Sequence, residues 1–244
     1  MQLFSVQRLQ RVASTNDEVK RAIDAGVAEG YVCRADEQTG GYGRQGRTWS
    51  SPKGGSYQSL LLRPAVAPQV VPTIGLVAAL AVRDALIEAG GLGPDFVKVK
   101  WPNDVVCSAG KLAGISSELH AGAVCIGIGV NVHAPTPRPE VTGKYTPAYL
   151  EDHAGVVFDP HAIGDAVLES FEGRYRTWLE EGFAAFCDEF NACSWLVGKS
   201  VRIADIHGVV LLEGLAQGVD PAGRLLVQTP SGLKPALSGE VHIL

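Results

Sequence analysis

The chain has 244 residues, long enough to bury roughly 70–75% of its unfolded surface without disulfide or metal support. Its 21 Lys and Arg against 26 Asp and Glu leave a net charge of −5, which argues against a protein held to nucleic acid by bulk electrostatics. Hydrophobic residues at 46% and charged residues at 19% exclude disordered and collagen-like chains, and no run approaches the roughly 18–20 apolar residues of a membrane span.

The start, Met1-Gln2-Leu3-Phe4-Ser5, lacks the charged and apolar regions of a secretory signal, so a cytoplasmic protein is expected. Cys33, Cys107, Cys125, Cys187 and Cys193 are scattered and read as buried small hydrophobes. The histidines form no ligand-spaced pair, so no built-in metal site is expected and any metal would arrive with a substrate.

In chain order, Ser14-Thr15-Asn16-Asp17-Glu18 opens the first strong element. Thr15 and Glu18 have the spacing of a capping box, and Val19, Ala22 and Ile23 follow at helical spacing up to Gly26. Tyr31 to Asp36 reads as a strand. Gln38 to Gly55 is then a long Gly-rich and polar stretch with no core face, and loops of that length tend to be lids or binding loops. Ser56 to Leu62 reads as a strand and Val71 to Ala89 as a buried helix ended by Gly90-Gly91. Phe96 to Trp101, Val105 to Cys107, Lys111 to Leu119 and Val124 to Val132 predict a meandering antiparallel sheet. A Pro-rich connection (Pro135, Pro137, Pro139, Pro147) leads to helical patterns over Pro160 to Glu181 and Phe183 to Cys193. Short strands follow at Ser200 to Ala204, Val209 to Ala216, Arg224 to Thr229 and Glu240 to Leu244. Strands and helices segregate, so an α+β class is expected. The final segment, about 48 residues, is near the lower limit for independent folding and should pack on the larger unit.

Four islands carry candidate chemistry. The stretch Gly40-Gly41-Tyr42-Gly43-Arg44-Gln45-Gly46-Arg47-Thr48-Trp49 combines close backbone approach, exposed amide donors and cations; with Lys53, Arg44 and Arg47 place three positive charges beside no acid. It matches neither a P-loop nor a dinucleotide fingerprint, and composition alone fits a solvated surface loop equally well. Lys98-Val99-Lys100-Trp101-Pro102-Asn103-Asp104 runs a strand into a turn. Lys111-Leu112-Ala113-Gly114-Ile115 puts a lysine at the start of an apolar strand, with Gly114 allowing close approach. Gly127-Ile128-Gly129-Val130-Asn131 alternates glycine with β-branched residues, which also fits a strand packed tightly under a helix.

Together with Ser14-Thr15-Asn16, these islands occur in an order that closely resembles the biotin protein ligases. The resemblance runs from the Ser-Thr-Asn start, through the Gly/Arg loop ending in Trp49-Ser50-Ser51-Pro52, to the C-terminal small domain. It implies a catalytic domain over 1–195, with a central mixed or antiparallel sheet and helices resembling class II aminoacyl-tRNA synthetases. It also implies a small SH3-like β-barrel over 196–244. The implied reaction joins biotin and ATP into biotinyl-5′-adenylate and pyrophosphate, then acylates one lysine of a biotin carboxyl carrier protein. A carboxylate must then approach an anionic phosphate, and like charges about 4 Å apart repel by roughly 4 kcal/mol at an effective dielectric near 20. Uncancelled, that is on the order of a thousandfold in rate.

By the same resemblance Lys111 and Arg44 are the catalytic cations, with Mg²⁺ brought by ATP. Ser14, Thr15, Asn16 and Gln38 supply the polar contacts to biotin; Tyr42, Gly43 and Arg44 follow its chain and carboxyl group with Lys111, and Gly114 lets that chain lie against the strand. Arg47, Trp49, Asn103, Asp104 and Asn131 lie on the adenylate side, Trp49 against the base and Asn131 at its edge. A homodimer through the edge of the central sheet is also implied. This chain departs from the family pattern at Tyr42, where arginine is common, and at Ser116-Ser117, where apolar residues are usual. Only 13 residues precede Ser14, so a ligase without a DNA-binding domain is expected. The rival readings are a lipoate or octanoate ligase or transferase, and a non-catalytic biotin or nucleotide-binding module.

Overall fold

The computed structural model describes residues 3–138, 146–153 and 158–244. Seven strands form the main sheet: β1 (Ser5–Val12), β2 (Tyr31–Gln38), β3 (Ser56–Leu62), β4 (Lys98–Lys100), β5 (Asp104–Cys107), β6 (Gly110–His120) and β7 (Ala123–Val130). Their order across the sheet is β1-β2-β3-β7-β6-β5-β4. β4 to β7 form the expected antiparallel meander. β1 and β2 run parallel, which requires a crossover, and helix α1 (Thr15–Asp24) supplies it. Strand β1 has no counterpart in the sequence reading. It is an edge strand with mostly exposed side chains, Gln7, Arg8, Gln10 and Arg11 among them, so no apolar alternation marks it.

The two faces of the sheet are covered differently. Val32, Leu60, Leu62, Val124, Ile126 and Ile128 pack with helices α2 (Ile74–Glu88) and α3 (Pro160–Glu181) into the main core. Helix α2 is apolar nearly all round, as expected of a helix held between a sheet and a second helix. On the opposite face Val19 and Ile23 of α1 cover Cys33, Leu61, Ala123 and Cys125. Helix α1 is short, so it covers one end of that face and leaves the other open. All five cysteines are free and buried, as expected.

Two local expectations need correction. The capping box does not form: Ser14 is the N-cap and makes no side-chain cap bond. Thr15, already inside the helix, donates its hydroxyl to Gln38 Oε1 at 3.0 Å, and Glu18 pairs with Arg21 at 2.6 Å. A half-buried glutamine at the end of β2 competes for the threonine and wins. The helical pattern over Phe183 to Cys193 splits into a 3₁₀ turn, Phe183–Phe186, and a short helix α4 (Cys187–Ala192). The turn follows Gly182, whose φ of 68° ends α3. Pro139, within the Pro-rich connection, lies outside the described residues.

The C-terminal strands are β8 (Ser200–Ala204), β9 (Val210–Val219), β10 (Leu225–Thr229), β11 (Gly232–Ala236) and β12 (Glu240–Ile243), ordered β11-β10-β9-β8-β12. The expected barrel is an open antiparallel sheet, since β11 and β12 stand at its two edges and do not pair with each other. Strand β11 escaped the sequence reading because it is short, mostly exposed and contains Pro235, which an edge strand tolerates. This sheet packs on the larger unit: Val201, Ile203, Val219, Leu225 and Val227 belong to the main core. Trp101 Nε1 donates to Gly223 O at 2.9 Å, and the Asn191 side chain brackets both backbone groups of Val219.

Candidate active site

The open end of the α1-covered face holds the main pocket. Sheet register explains it. Tyr57, Gly129, Gly114 and Asp104 lie side by side on adjacent strands, and the next row places Ser59, Gly127 and Ser116 together. Residues directly opposite share a face, so the glycines form a floor with no side chains. That floor is needed: a Cβ on Gly127 would lie 2.3 Å from Asn16 Oδ1, and one on Gly129 2.5 Å from Trp49 Nε1. The alternative of a strand packed under a helix therefore holds at Gly127, under Asn16 of α1, whereas Gly129 makes room for the loop tryptophan.

One end of the pocket is a wall of side chains that hydrogen-bond to one another. Gln38 Oε1 accepts from the Thr15 backbone N–H at 2.8 Å and from its hydroxyl, while Gln38 Nε2 donates to Ser51 Oγ at 2.8 Å. Ser59 Oγ donates to Asn16 Oδ1 at 2.6 Å, and Asn16 Nδ2 donates to Ser116 Oγ at 3.3 Å and Glu118 Oε1 at 3.2 Å. Thr15, Asn16 and Ser59 are buried, so each unmade bond here would carry a desolvation cost. Ser14, the N-cap of α1, is equally buried and is not among the residues that line the pocket.

The other end is cationic. Lys111 Nζ lies 2.6 Å from Asp104 Oδ1 and 5.0 Å from the centre of the Trp49 ring. Lys100, the last residue of β4, faces the same space. Burial pushes its ammonium below the usual lysine range, Asp104 opposes that shift, and Lys111 reinforces it. Arg44 Nη1 donates to Asn103 Oδ1 at 3.2 Å; burial also lowers its pKa, against the pull of Asp104. Asn103 is held by Ile115, donating to its carbonyl at 2.8 Å. Asn131 Nδ2 donates to Lys111 O at 3.0 Å. Trp49 Nε1 is buried with no hydrogen-bond partner among the described residues, although its ring covers the glycine floor.

The glycine loop expected as a lid or binding loop is folded onto itself. Gln38 bridges Ser51, Tyr42 bridges Thr48, and a 3₁₀ turn spans Arg44–Gly46. The expectation of three cations beside no acid also needs correction. Arg47 reaches the C-terminal sheet and binds Glu240 through two hydrogen bonds of 3.0 and 2.9 Å, while Lys53 is exposed outside the pocket.

Thr15, Asn16, Gln38, Tyr42, Gly43 and Arg44 of the expected set line the pocket, as do Arg47, Trp49, Asn103, Asp104, Lys111, Gly114 and Asn131. The sequence motifs contained Lys100, Ser116, Gly127 and Gly129 without assigning them a place in the site, and gave no sign of Gly239, Glu240 and Val241 from the C-terminal sheet. For Lys100 a signal existed, since alternation around the apolar Val99 turns Lys98 and Lys100 to the face opposite the core. For Glu240 there was none.

A ligand here meets polar amides and hydroxyls at one end and a focused positive field at the other, joined by a flat floor under an indole. That arrangement suits a small neutral head group carrying a carboxylate toward a polyphosphate. The chain belongs to the biotin/lipoate A/B protein ligase family, whose model matches residues 9–133. Within that family it groups with the biotin protein ligases, because residues 196–244 match the biotin protein ligase C-terminal domain. It is similar to the biotin–[acetyl-CoA-carboxylase] ligase of Paracoccus denitrificans, 33% identical over 96% of this chain and 98% of that protein. It is likewise similar to the bifunctional ligase/repressor BirA of Bacillus subtilis, 33% identical over 95% of this chain and 72% of that protein. Among solved structures, the biotin protein ligase of Aquifex aeolicus in complex with biotin and ATP superposes with a TM-score of 0.86 at 30% identity, covering 98% of each chain.

Proposed function

We propose that this protein activates biotin with ATP and transfers it to a lysine of a biotin carboxyl carrier protein. In the first step a biotin carboxylate oxygen bonds to the α-phosphorus and the bond to the departing pyrophosphate breaks, giving biotinyl-5′-adenylate. In the second, the uncharged amine of the acceptor lysine attacks the acyl carbon, AMP leaves with the bonding pair, and the nitrogen loses its extra proton. The observation that carries this reading is the polarity of a single pocket, with a hydrogen-bonding wall built by Thr15, Asn16 and Gln38 facing a cluster of Lys111, Lys100 and Arg44 across bare glycines.

The residues divide the work. Lys111 and Arg44 neutralise the carboxylate and the phosphate oxygens as they approach, and Lys100 adds to the same field. Lys111 rests on Asp104 at 2.6 Å, which keeps the ammonium at the site until the anions enter and share it. Gly43 and Gly114 let the acyl chain lie along the backbone. Trp49 stacks on the adenine, its Nε1–H, unpartnered among the described residues, available to ligand or water, while Asn103 and Asn131 border the nucleotide. Mg²⁺ enters with ATP. The adenylate is a mixed anhydride that water destroys, which gives a loop over the site a chemical purpose.

The reading places the protein in the cytoplasm with no nucleic-acid partner, assigns 1–195 to catalysis and 196–244 to a supporting unit, and extends to a homodimer through the central sheet edge. The test is biotin-dependent exchange between ATP and pyrophosphate with lipoate as the competing acid. Exchange with biotin alone is expected. Exchange with lipoate alone would move the protein to lipoate ligation, and biotin binding without exchange would make it a binding module.

A further inference from the structure

We propose that Tyr42 anchors the glycine loop to the pocket through the chain Tyr42–Lys20–Glu118–Asn16, so that the loop and the amide-rich wall are one positioned unit. Biotin as the ligand is taken from the reading above; the anchor itself is a property of the free chain.

Arg44 ties the loop to Asn103 and Arg47 ties it to Glu240, and Tyr42 adds its tie to helix α1. The loop's crown from Gln45 to Thr48 is exposed. Tyr42 turns back onto α1, where its hydroxyl donates to Asp17 Oδ1 at 2.8 Å and accepts from Lys20 Nζ at 3.0 Å. The ammonium also lies 5.3 Å from the ring centre. Lys20 donates in turn to Glu118 Oε2 at 2.5 Å, and the other Glu118 oxygen accepts from Asn16 Nδ2 at 3.2 Å. Burial alone would lower the Lys20 pKa, but its bonds to Glu118 and Tyr42 outweigh that and hold the ammonium above its ordinary range.

Two consequences follow from the chemistry. First, the Lys20 charge is committed to Glu118 and Tyr42 and Lys20 does not line the pocket, so it does not replace an arginine side chain at position 42 as an anion contact. Second, Lys20 and Glu118 have side chains only 24% and 31% exposed, so the ion pair is less screened than a surface pair. Tyr42 precedes Gly43 and Arg44, so the anchor sets where Arg44 leaves the helix-bound part of the loop. Tyr42, Lys20 and Glu118 are positioning residues, and holding the loop before the ligand arrives removes part of the ordering cost of binding.

The test uses the full-length protein. Tyr42→Phe keeps the ring and removes the hydroxyl; Lys20→Met removes the central donor, and Lys20→Arg retains a donor. Without ligand, tryptic cleavage after Arg44 and Arg47 is expected to run about 10-fold faster in Tyr42→Phe and Lys20→Met, as for loss of one charge-assisted hydrogen bond. Lys20→Arg should restore most of the protection. The double variant should be no faster than the faster single one, because both break the same chain. In the exchange reaction the loss should fall on the KM for biotin, by about 10-fold, and much less on kcat. Wild-type cleavage rates in folded Tyr42→Phe, or multiplied effects in the double variant, would overturn the anchor. Absence of exchange in the wild type would overturn the proposed function instead, while the cleavage rates still decide the anchor.

Discussion

The two ends of the pocket are built on opposite principles. At the amide end, Thr15, Asn16, Gln38, Ser59 and Ser116 bond to one another inside a buried wall, and a ligand has only to complete a framework already in place. At the cationic end the charges are satisfied provisionally. Lys111 leans on Asp104, Arg44 on Asn103 and Arg47 on Glu240, and Trp49 Nε1 has no partner among the described residues. A neutral head group is served by a rigid wall, because its hydrogen bonds are geometric and short-ranged. A polyphosphate is served by cations that can exchange a protein acid for a ligand anion, because charge interactions tolerate small displacements. The difference teaches that preorganisation is concentrated where recognition is directional.

The contrast can be tested by substitution, beginning at the cationic end. Lys111→Ala should lower biotin-dependent exchange about 1,000-fold and Arg44→Ala about 100-fold, since each removes a cation aimed at developing charge. Both should keep the thermal midpoint of the wild type, which calorimetry would verify. A larger loss from Arg44 than from Lys111 would shift the centre of charge stabilisation from the sheet to the loop.

Gly129→Ala introduces a Cβ 2.5 Å from Trp49 Nε1, and the indole must leave its seat. The KM for ATP should rise about 10-fold or more, while biotin affinity measured by titration calorimetry changes far less. Equal losses for both ligands would show that the floor acts as one piece and would dissolve the distinction between the ends.

Gly127→Ala probes the rigid end, where the new Cβ would sit 2.3 Å from Asn16 Oδ1. Overpacking a buried wall costs about 1–3 kcal/mol, and thermal melting should fall by roughly 3–10 °C. An unchanged midpoint would mean that the wall yields readily and is not preorganised.

The smallest effect belongs to the link between loop and C-terminal sheet. Arg47 is 51% exposed in its pair with Glu240, so Glu240→Gln should cost about 0.2–1 kcal/mol. The cost should shrink further in high salt, as denaturant titrations at two ionic strengths would read.

Much of this was legible locally. Helix α3 matches its expected span from Pro160 to Glu181, because a capping Asp159, a Pro at the first turn and a glycine after the last mark it in the chain. The meander from β4 to β7 was visible in its turns. Edge strands β1 and β11 were not, since strands without a buried face lack alternation. Most lining residues lay within sequence motifs, but the capping box did not form and the C-terminal strands make an open sheet. The capping box depended on which neighbour the Thr15 side chain would find.

By itself the sequence determined the chemical inventory and its local placement: the glycines, the cations of the loop and of the Lys-Trp-Pro-Asn-Asp run, and the amides at the start of α1. These are properties of short segments, set by propensity, turn chemistry and period. Only the tertiary structure decided that Lys100 joins Lys111, that Gly127 lies under Asn16, and that Arg47 meets Glu240 across a separation of 193 residues. Such pairings depend on sheet register and on how two sheets pack, and both are settled by long-range burial that no local pattern encodes.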